Sequence, residues 1–272
     1  MHPTPFLDLN GVLDELVKGA GTILGPNFVG AYLQGSFAVG DADAHSDVDF
    51  IVVTDDEVTA EQEAALQELH RRLFAIDVPW AQHLEGSYIT RERLRRVDPA
   101  REPLLYLDNG ATQLIRDAHC NTAVVRWSLR EHGVVLAGPE PKALVEPVHA
   151  AQLRAEILAG LDEWTEWTRA PAMSRWKQPY VVLSFCRMLH TLETGRVGSK
   201  REAGAWAVRA LGDEWSDLIR RALGDRPDPW GRVHEPADRA DVEPTRAFAD
   251  YAAALMSLPQ PPPSAAHAAG SA

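Results

Sequence analysis

The stretch LQGSFAVGDADAHSDVDFIVV, residues 33–53, limits the fold more than any other part of the chain. An apolar run from Asn27 to Leu33 leads into it and Gly35-Ser36 interrupts that run. Ten residues on, Ser46-Asp47-Val48-Asp49 passes directly into Phe50–Thr54. Both apolar runs read as short buried strands, with Gly35-Ser36 as a sharp turn into a short helix over Phe37–Val39. Residues two apart in a strand point the same way, so Asp47 and Asp49 share one face while Val48 and Phe50 turn to the core. A carboxylate pair beside a buried strand is costly unless something cationic meets it.

The surrounding sequence supplies the layers such strands need. Leu7–Leu24 reads as a helix stopped by Gly25-Pro26. Thr59 opens another, with Gln62 three residues on as a capping box and Leu66, Leu69 and Leu73 on one face. Ala81–Thr90 reads as a third strand, Asn121–His132 as a helix closed by Gly133, and Val134-Val135-Leu136 as a further apolar run before Gly138-Pro139. From about residue 149 the texture becomes purely helical. Leu153, Ile157, Leu161 and Trp164 line one helix face, Pro179–Thr194 forms a second helix closed by Gly195, and two more follow around Leu218–Leu223 and Phe248–Leu255. Strands mixed with helices, then helices alone, predict an α+β fold: a mixed-sheet domain over 1–148 and an all-helical domain over 149–258. The Pro/Ala/Ser-rich end, 259–272, is expected to be disordered.

Composition narrows the function. An apolar content of 45% and a charged content of 24% belong to an ordinary globular protein. A formal net charge of −12 argues against broad nucleic-acid binding, which needs clustered Lys and Arg, and is compatible with a cationic small molecule. Cys120 and Cys186 fit no metal spacing and read as reduced core thiols. No segment approaches the roughly 18 consecutive apolar residues of a membrane span. MHPTPFLDLNG lacks a basic start and a signal-length apolar run, so a cytoplasmic location is expected; a monomer is expected as well.

Two same-face carboxylates suit Mg²⁺, a hard ion that takes oxygen ligands and shares them with phosphates. Backbone N–H groups at the Gly35-Ser36 turn can hold phosphate oxygens. Phosphate grip and a divalent ion together are the minimal kit for phosphoryl or nucleotidyl transfer. The whole string of strand, Gly-Ser, Asp-Val-Asp and strand resembles the signature of the polymerase-β-like nucleotidyltransferase superfamily. That superfamily calls for a third carboxylate on a later neighbouring strand. Glu85, in HLEGSYI, is the best candidate, either as a third metal ligand or as the general base; Asp77 competes but falls before that strand.

A second block, RMLHTLETGRVGSKREAGAW over Arg187–Trp206, is similar to the helical-domain signature of the streptomycin/spectinomycin adenylyltransferases. The resemblance covers roughly residues 5–255 and implies ATP and Mg²⁺ between two domains, with AMP moved onto a hydroxyl of an aminoglycoside-like acceptor and pyrophosphate released. Carried over residue by residue, it implies that Ser36 and Ser46, beside Gly35, contact the triphosphate. Asp47 and Asp49 would hold Mg²⁺, and Glu85 would take the proton from the hydroxyl. Lys200, and more weakly Arg196, would reach the phosphates. Trp127 could match the family's sugar-stacking tryptophan, and Trp164 with Trp167 and the acids Asp162, Glu163 and Glu166 could wall the acceptor. The resistance enzymes place an acid just before the helix that ends Leu-Glu-Thr-Gly; here that approach reads Arg175-Trp176-Lys177-Gln178-Pro179-Tyr180. The departure opens the acceptor to another small molecule or a protein and leaves the chemistry standing; from a different class, the alternative is a catalytically lapsed nucleotide-binding interaction module.

Overall fold

The structure, a computed structural model, describes residues 2–43, 46–225 and 233–258; the tail expected to be disordered lies outside these residues. Helix α1 (Leu7–Leu24) ends at Gly25, whose φ of 55° no side-chain-bearing residue adopts cheaply. Strand β1 (Phe28–Leu33), helix α2 (Gly35–Ala38) and strand β2 (Val48–Thr54) follow. Helix α3 (Ala60–Phe74) starts with the expected capping box: Thr59 Oγ1 accepts from Gln62 N–H at 3.2 Å and Gln62 Oε1 accepts from Thr59 N–H at 3.1 Å. Strand β3 (Leu84–Thr90) runs into helix α4 (Arg91–Arg95), then strands β4 (Leu104–Leu107) and β5 (Leu114–Asp117), helix α5 (Ala123–His132) and strand β6 (Val134–Ala137).

These strands form one sheet in the order β5–β4–β3–β2–β1–β6. Only β2 and β3, at its centre, are parallel; the other neighbours are antiparallel. A parallel pair needs a crossover, and α3 provides it. One sheet face buries Val48, Phe50 and Val52 against Leu9, Leu13 and Leu16 of α1 and Leu66, Leu69 and Leu73 of α3. The opposite face buries Tyr32, Ile51, Val53, Ile89 and Tyr106 with Leu129 of α5. Period-2 alternation along β2 therefore feeds both cores, as a central strand requires.

The rest of the described chain is helical: α6 (Ala150–Ala159), α7 (Leu161–Thr168), α8 (Lys177–Thr194), α9 (Lys200–Ala210), α10 (Asp213–Gly224) and α11 (Arg239–Ser257). Helix α8 is the hub. Its Val181, Val182 and Phe185 are fully buried among Ala203 and Ala207 of α9, Leu218 and Ile219 of α10, and Phe248 and Ala249 of α11. The protein is an α+β molecule with a mixed-sheet N-terminal part and an all-helical C-terminal part.

Three local readings differ from the structure. Strand β3 starts at Leu84 because Pro79–Gln82 form a 3₁₀ turn, with Pro79 fixing its φ. The helix expected through Leu153–Trp164 is two helices, parted at Gly160. The β4–β5 hairpin was not expected, and Asp77 lies between α3 and the 3₁₀ turn, in no strand.

Candidate active site

The central parallel pair brings the acids together. Asp49 of β2 lies in register with Glu85 of β3, and Asp47 immediately precedes β2. Oxygens of all three carboxylates lie within 4.8 Å of one another. Burial, then the charges of Asp47 and Glu85, push the Asp49 carboxyl well above its ordinary range; Lys200 and Arg187 pull the other way. Gly35 makes the close approach possible. Its φ is 58°, and a Cβ built there would sit 1.8 Å from Asp49 Oδ2.

Glu85 is tightly held. Tyr106 Oη of β4 donates to Glu85 Oε1 at 2.7 Å, and His119 Nε2, after β5, lies 3.0 Å from the same oxygen. Tyr106 Oη is also 3.0 Å from Asp108 Oδ1, and the His119 ring stacks on Tyr106 with centroids 5.5 Å apart. The bond to Glu85 raises the His119 pKa despite its burial. At the turn after β1, the Ser36 hydroxyl is buried with no hydrogen-bond partner, the state expected of a group that awaits a ligand. Ser46 is buried nearby, its Oγ accepting from Asp43 N–H at 3.0 Å.

Cations come from the helical part. Lys200 is the first residue of α9, capped by Ser199, and its Nζ lies 4.3 Å above the Tyr180 ring of α8. Arg187, about two turns past Tyr180 on α8, acts electrostatically on both Asp49 and Tyr180. Burial lifts the Tyr180 hydroxyl to about 12, with Asp47, Glu85 and Asp49 adding to the rise and Arg187 opposing it. Lys200 of α9 and Arg187 of α8 are thus near enough to the carboxylates to oppose the rise at Asp49. Arg196, just beyond the Gly195 stop, is exposed.

The two tryptophans sit differently from each other. Trp164 stacks on Tyr180 at 6.0 Å and meets Trp167 edge-on at 5.6 Å, so it joins the aromatic group that carries Lys200. Trp127 is buried against Ala123, Leu153 and Val197, in the small core that ties α5 to the helical part. Asp162 and Glu166 line a groove of about 840 Å³ between α7 and α11, with Arg169 and Asp250. Sequence reasoning assigned no role to Arg187, Tyr106 or His119. Arg187 opens the second signature block, which was a signal; Tyr106 belongs to the unexpected hairpin and His119 follows it, and neither gave one.

Comparison with known proteins agrees with this architecture. Residues 16–99 match the nucleotidyltransferase domain, and residues 143–253 match the aminoglycoside adenylyltransferase C-terminal domain. The chain is 26% identical over 234 residues to spectinomycin 9-adenylyltransferase of Staphylococcus aureus, covering 79% of this chain and 86% of the relative. It is 25% identical over 257 residues to the aminoglycoside (3'') (9) adenylyltransferase of Shigella flexneri, covering 89% and 93%. Its fold matches the crystal structure of spectinomycin adenyltransferase AAD(9) from Enterococcus faecialis with ATP and spectinomycin. There the TM-score is 0.69 at 16% identity, over 91% of this chain and 99% of that one. With a nucleotidyltransferase domain followed by the adenylyltransferase helical domain, the chain is a nucleotidyltransferase that belongs to the aminoglycoside adenylyltransferase family.

Proposed function

We propose that this protein transfers AMP from ATP to a hydroxyl of an aminoglycoside or aminocyclitol, in the cytoplasm and as a monomer. The nucleotidyltransferase domain, 1–148, and the helical domain, 149–258, each supply part of the site. The observation that carries the reading is the convergence of Asp47, Asp49 and Glu85 within 4.8 Å, with Lys200 of α9 and Arg187 of α8 acting electrostatically on Asp49.

The three carboxylates fit a divalent metal by charge and by donor type: hard oxygens, one of them on Asp49, whose carboxyl is held high by burial and then by the charges of Asp47 and Glu85. Asp47 and Asp49 would hold Mg²⁺, with Glu85 serving either as a third ligand or as the general base; when bound, the ion neutralises triphosphate charge. Gly35, the orphan hydroxyl of Ser36, and Ser46 offer contacts for phosphate oxygens. Lys200 brings a mobile point charge to the same phosphates, and Arg196 is assigned there by family resemblance. Glu85 has Oε1 engaged by Tyr106 and His119, which leaves Oε2 to take the proton of the attacking hydroxyl. The hydroxyl oxygen then bonds to the α-phosphorus as the bond to the β-phosphate oxygen breaks, and pyrophosphate leaves. Trp164, on the aromatic group around Tyr180, and Trp127 are assigned to the acceptor.

A second reading concerns the acceptor. Lys177, at the start of α8, donates from Nζ to Trp167 O at 2.6 Å and lies 4.1 Å over that indole ring. A half-sequestered cation where the resistance enzymes carry an acid favours an acceptor with fewer positive charges.

Mass spectrometry of streptomycin, spectinomycin and a wider panel, after incubation with protein, ATP and Mg²⁺, tests the proposal. The expected result is an added AMP that disappears with Asp49→Asn and with Glu85→Gln. MgATP binding without any drug adduct moves the acceptor elsewhere, and no MgATP binding at all sinks the enzyme reading.

A further inference from the structure

Asp41 connects the two halves of the site. It lies in the loop between α2 and β2, 7% exposed, and its backbone N–H donates to the Ser36 carbonyl at 3.0 Å. Its carboxylate reaches across to the helical part: Oδ1 accepts from Arg201 Nε at 2.8 Å and Oδ2 from the Arg201 backbone N–H at 3.3 Å. Arg201 is the second residue of α9, so that N–H is one of the helix's orphan donors, and a carboxylate there also complements the helix dipole. Asp41 thus caps α9 in trans, while Ser199 caps it from within by accepting from Glu202 N–H. The neighbour of Arg201 is Lys200.

We infer that Asp41 and Arg201 are positioning residues for nucleotide: their clasp fixes the distance between the Ser36 turn and Lys200, so that both reach one triphosphate. This rests on the proposed reading of the site. The clasp is not mainly a stabilising device. The Arg201 side chain is 68% exposed, and an ion pair with one end in solvent contributes little to folding. What it sets is register between two elements 160 residues apart in sequence, one carrying the orphan hydroxyl and the other the lysine. The Asp41 arm also has the short path to the turn: one backbone hydrogen bond separates it from Ser36.

Titration calorimetry with MgATP, without acceptor, tests the inference. Asp41→Asn and Arg201→Ala are expected to weaken MgATP binding by about three- to tenfold, the range for coupled neighbours. Both variants are mild: one keeps the side-chain volume, and the other removes an exposed group. In a Lys200→Ala background neither change weakens binding further, because the clasp acts through that lysine. A merely structural role would weaken both backgrounds alike. Variants that bind MgATP as the wild type does, or that lose the same factor with and without Lys200, overturn the clasp alone. A wild type that binds no MgATP overturns the reading of the site on which it rests.

Discussion

Gly35 and Asp49 compete for one volume, and the competition explains why the turn after β1 needs a glycine. The carboxylate of Asp49 fills the place where a Cβ at Gly35 would go, 1.8 Å from Oδ2, and the 58° φ adds a backbone penalty of about 1 kcal/mol for any other residue. Gly35→Ala is therefore expected to push Asp49 away from Asp47 and Glu85. AMP transfer should fall by at least about a hundredfold, as misplacement of roughly an ångström can cost, while circular dichroism shows the fold retained. Transfer at the wild-type rate would mean that Asp49 need not stand where it does. Glu85 allows a gentler test. Tyr106→Phe removes the 2.7 Å bond to Oε1 and leaves His119 in place. The expected loss is about tenfold in turnover, in line with outer-shell partners of reactive carboxylates, with the KM for ATP unchanged. A change in KM alone would assign Tyr106 to nucleotide binding.

At the scale of elements, legibility followed from how locally each one is determined. Helices α1 and α3 carry their start, stop and apolar face in consecutive residues, and Thr59 with Gln62 forms the box that the sequence displays. The acids were legible for the same reason, since Asp47 precedes and Asp49 stands second in a strand whose next four residues, 50–53, are all apolar. Glu85 was found by its strand, although its partners were not. Strand β4 is only four residues long, and β5 exposes most of its side chains, so neither shows a period; β4 exists because β3 offers an edge to pair with, and β5 because β4 in turn does. Helix α5 depends on a contact that no local pattern displays. Arg126, 1% exposed, donates to the carbonyls of Leu94, Arg93 and Thr122 and to Asn121 Oδ1, binding α5 to the end of α4. Burial lowers its pKa to about 10, still far above neutrality, so it stays charged. Arg126→Met keeps much of the length but strands those acceptors. A loss of about 2–4 kcal/mol in urea unfolding is expected, from unpaired buried acceptors. A loss under about 0.5 kcal/mol, typical of a surface site, would show that water replaces the guanidinium.

For the molecule as a whole, stability and chemistry draw on different groups, and pH separates them. His70 of α3 is buried under the sheet, stacked on Phe50 at 5.7 Å, with Nε2 2.8 Å from Tyr88 Oη. Burial lowers its pKa from 6.5 to about 4. Above pH 6.5 the ring is neutral in folded and unfolded chains alike, and its contribution is complete. Between pH 6.5 and about 4 the unfolded chain takes up a proton that the folded one refuses, so stability falls with falling pH; below about 4 both forms are charged and the loss levels off. At pH 5 the loss amounts to about 2 kcal/mol. His83 and His190, also lowered by burial, add losses of the same sign, whereas His119, raised by Glu85, opposes them. His70→Gln isolates the one term, because a glutamine still meets the Tyr88 hydroxyl and does not titrate. Urea midpoints for the two proteins, taken from pH 7.5 down to 5, should converge as the wild type loses its advantage. Parallel curves would mean that His70 is protonated within the fold and that the sheet opens to admit the proton. Because His70 lies on the α1–α3 side of the sheet, the variant should leave AMP transfer at pH 7.5 unchanged, so that acid sensitivity of the fold is removed without altering the carboxylates at its centre.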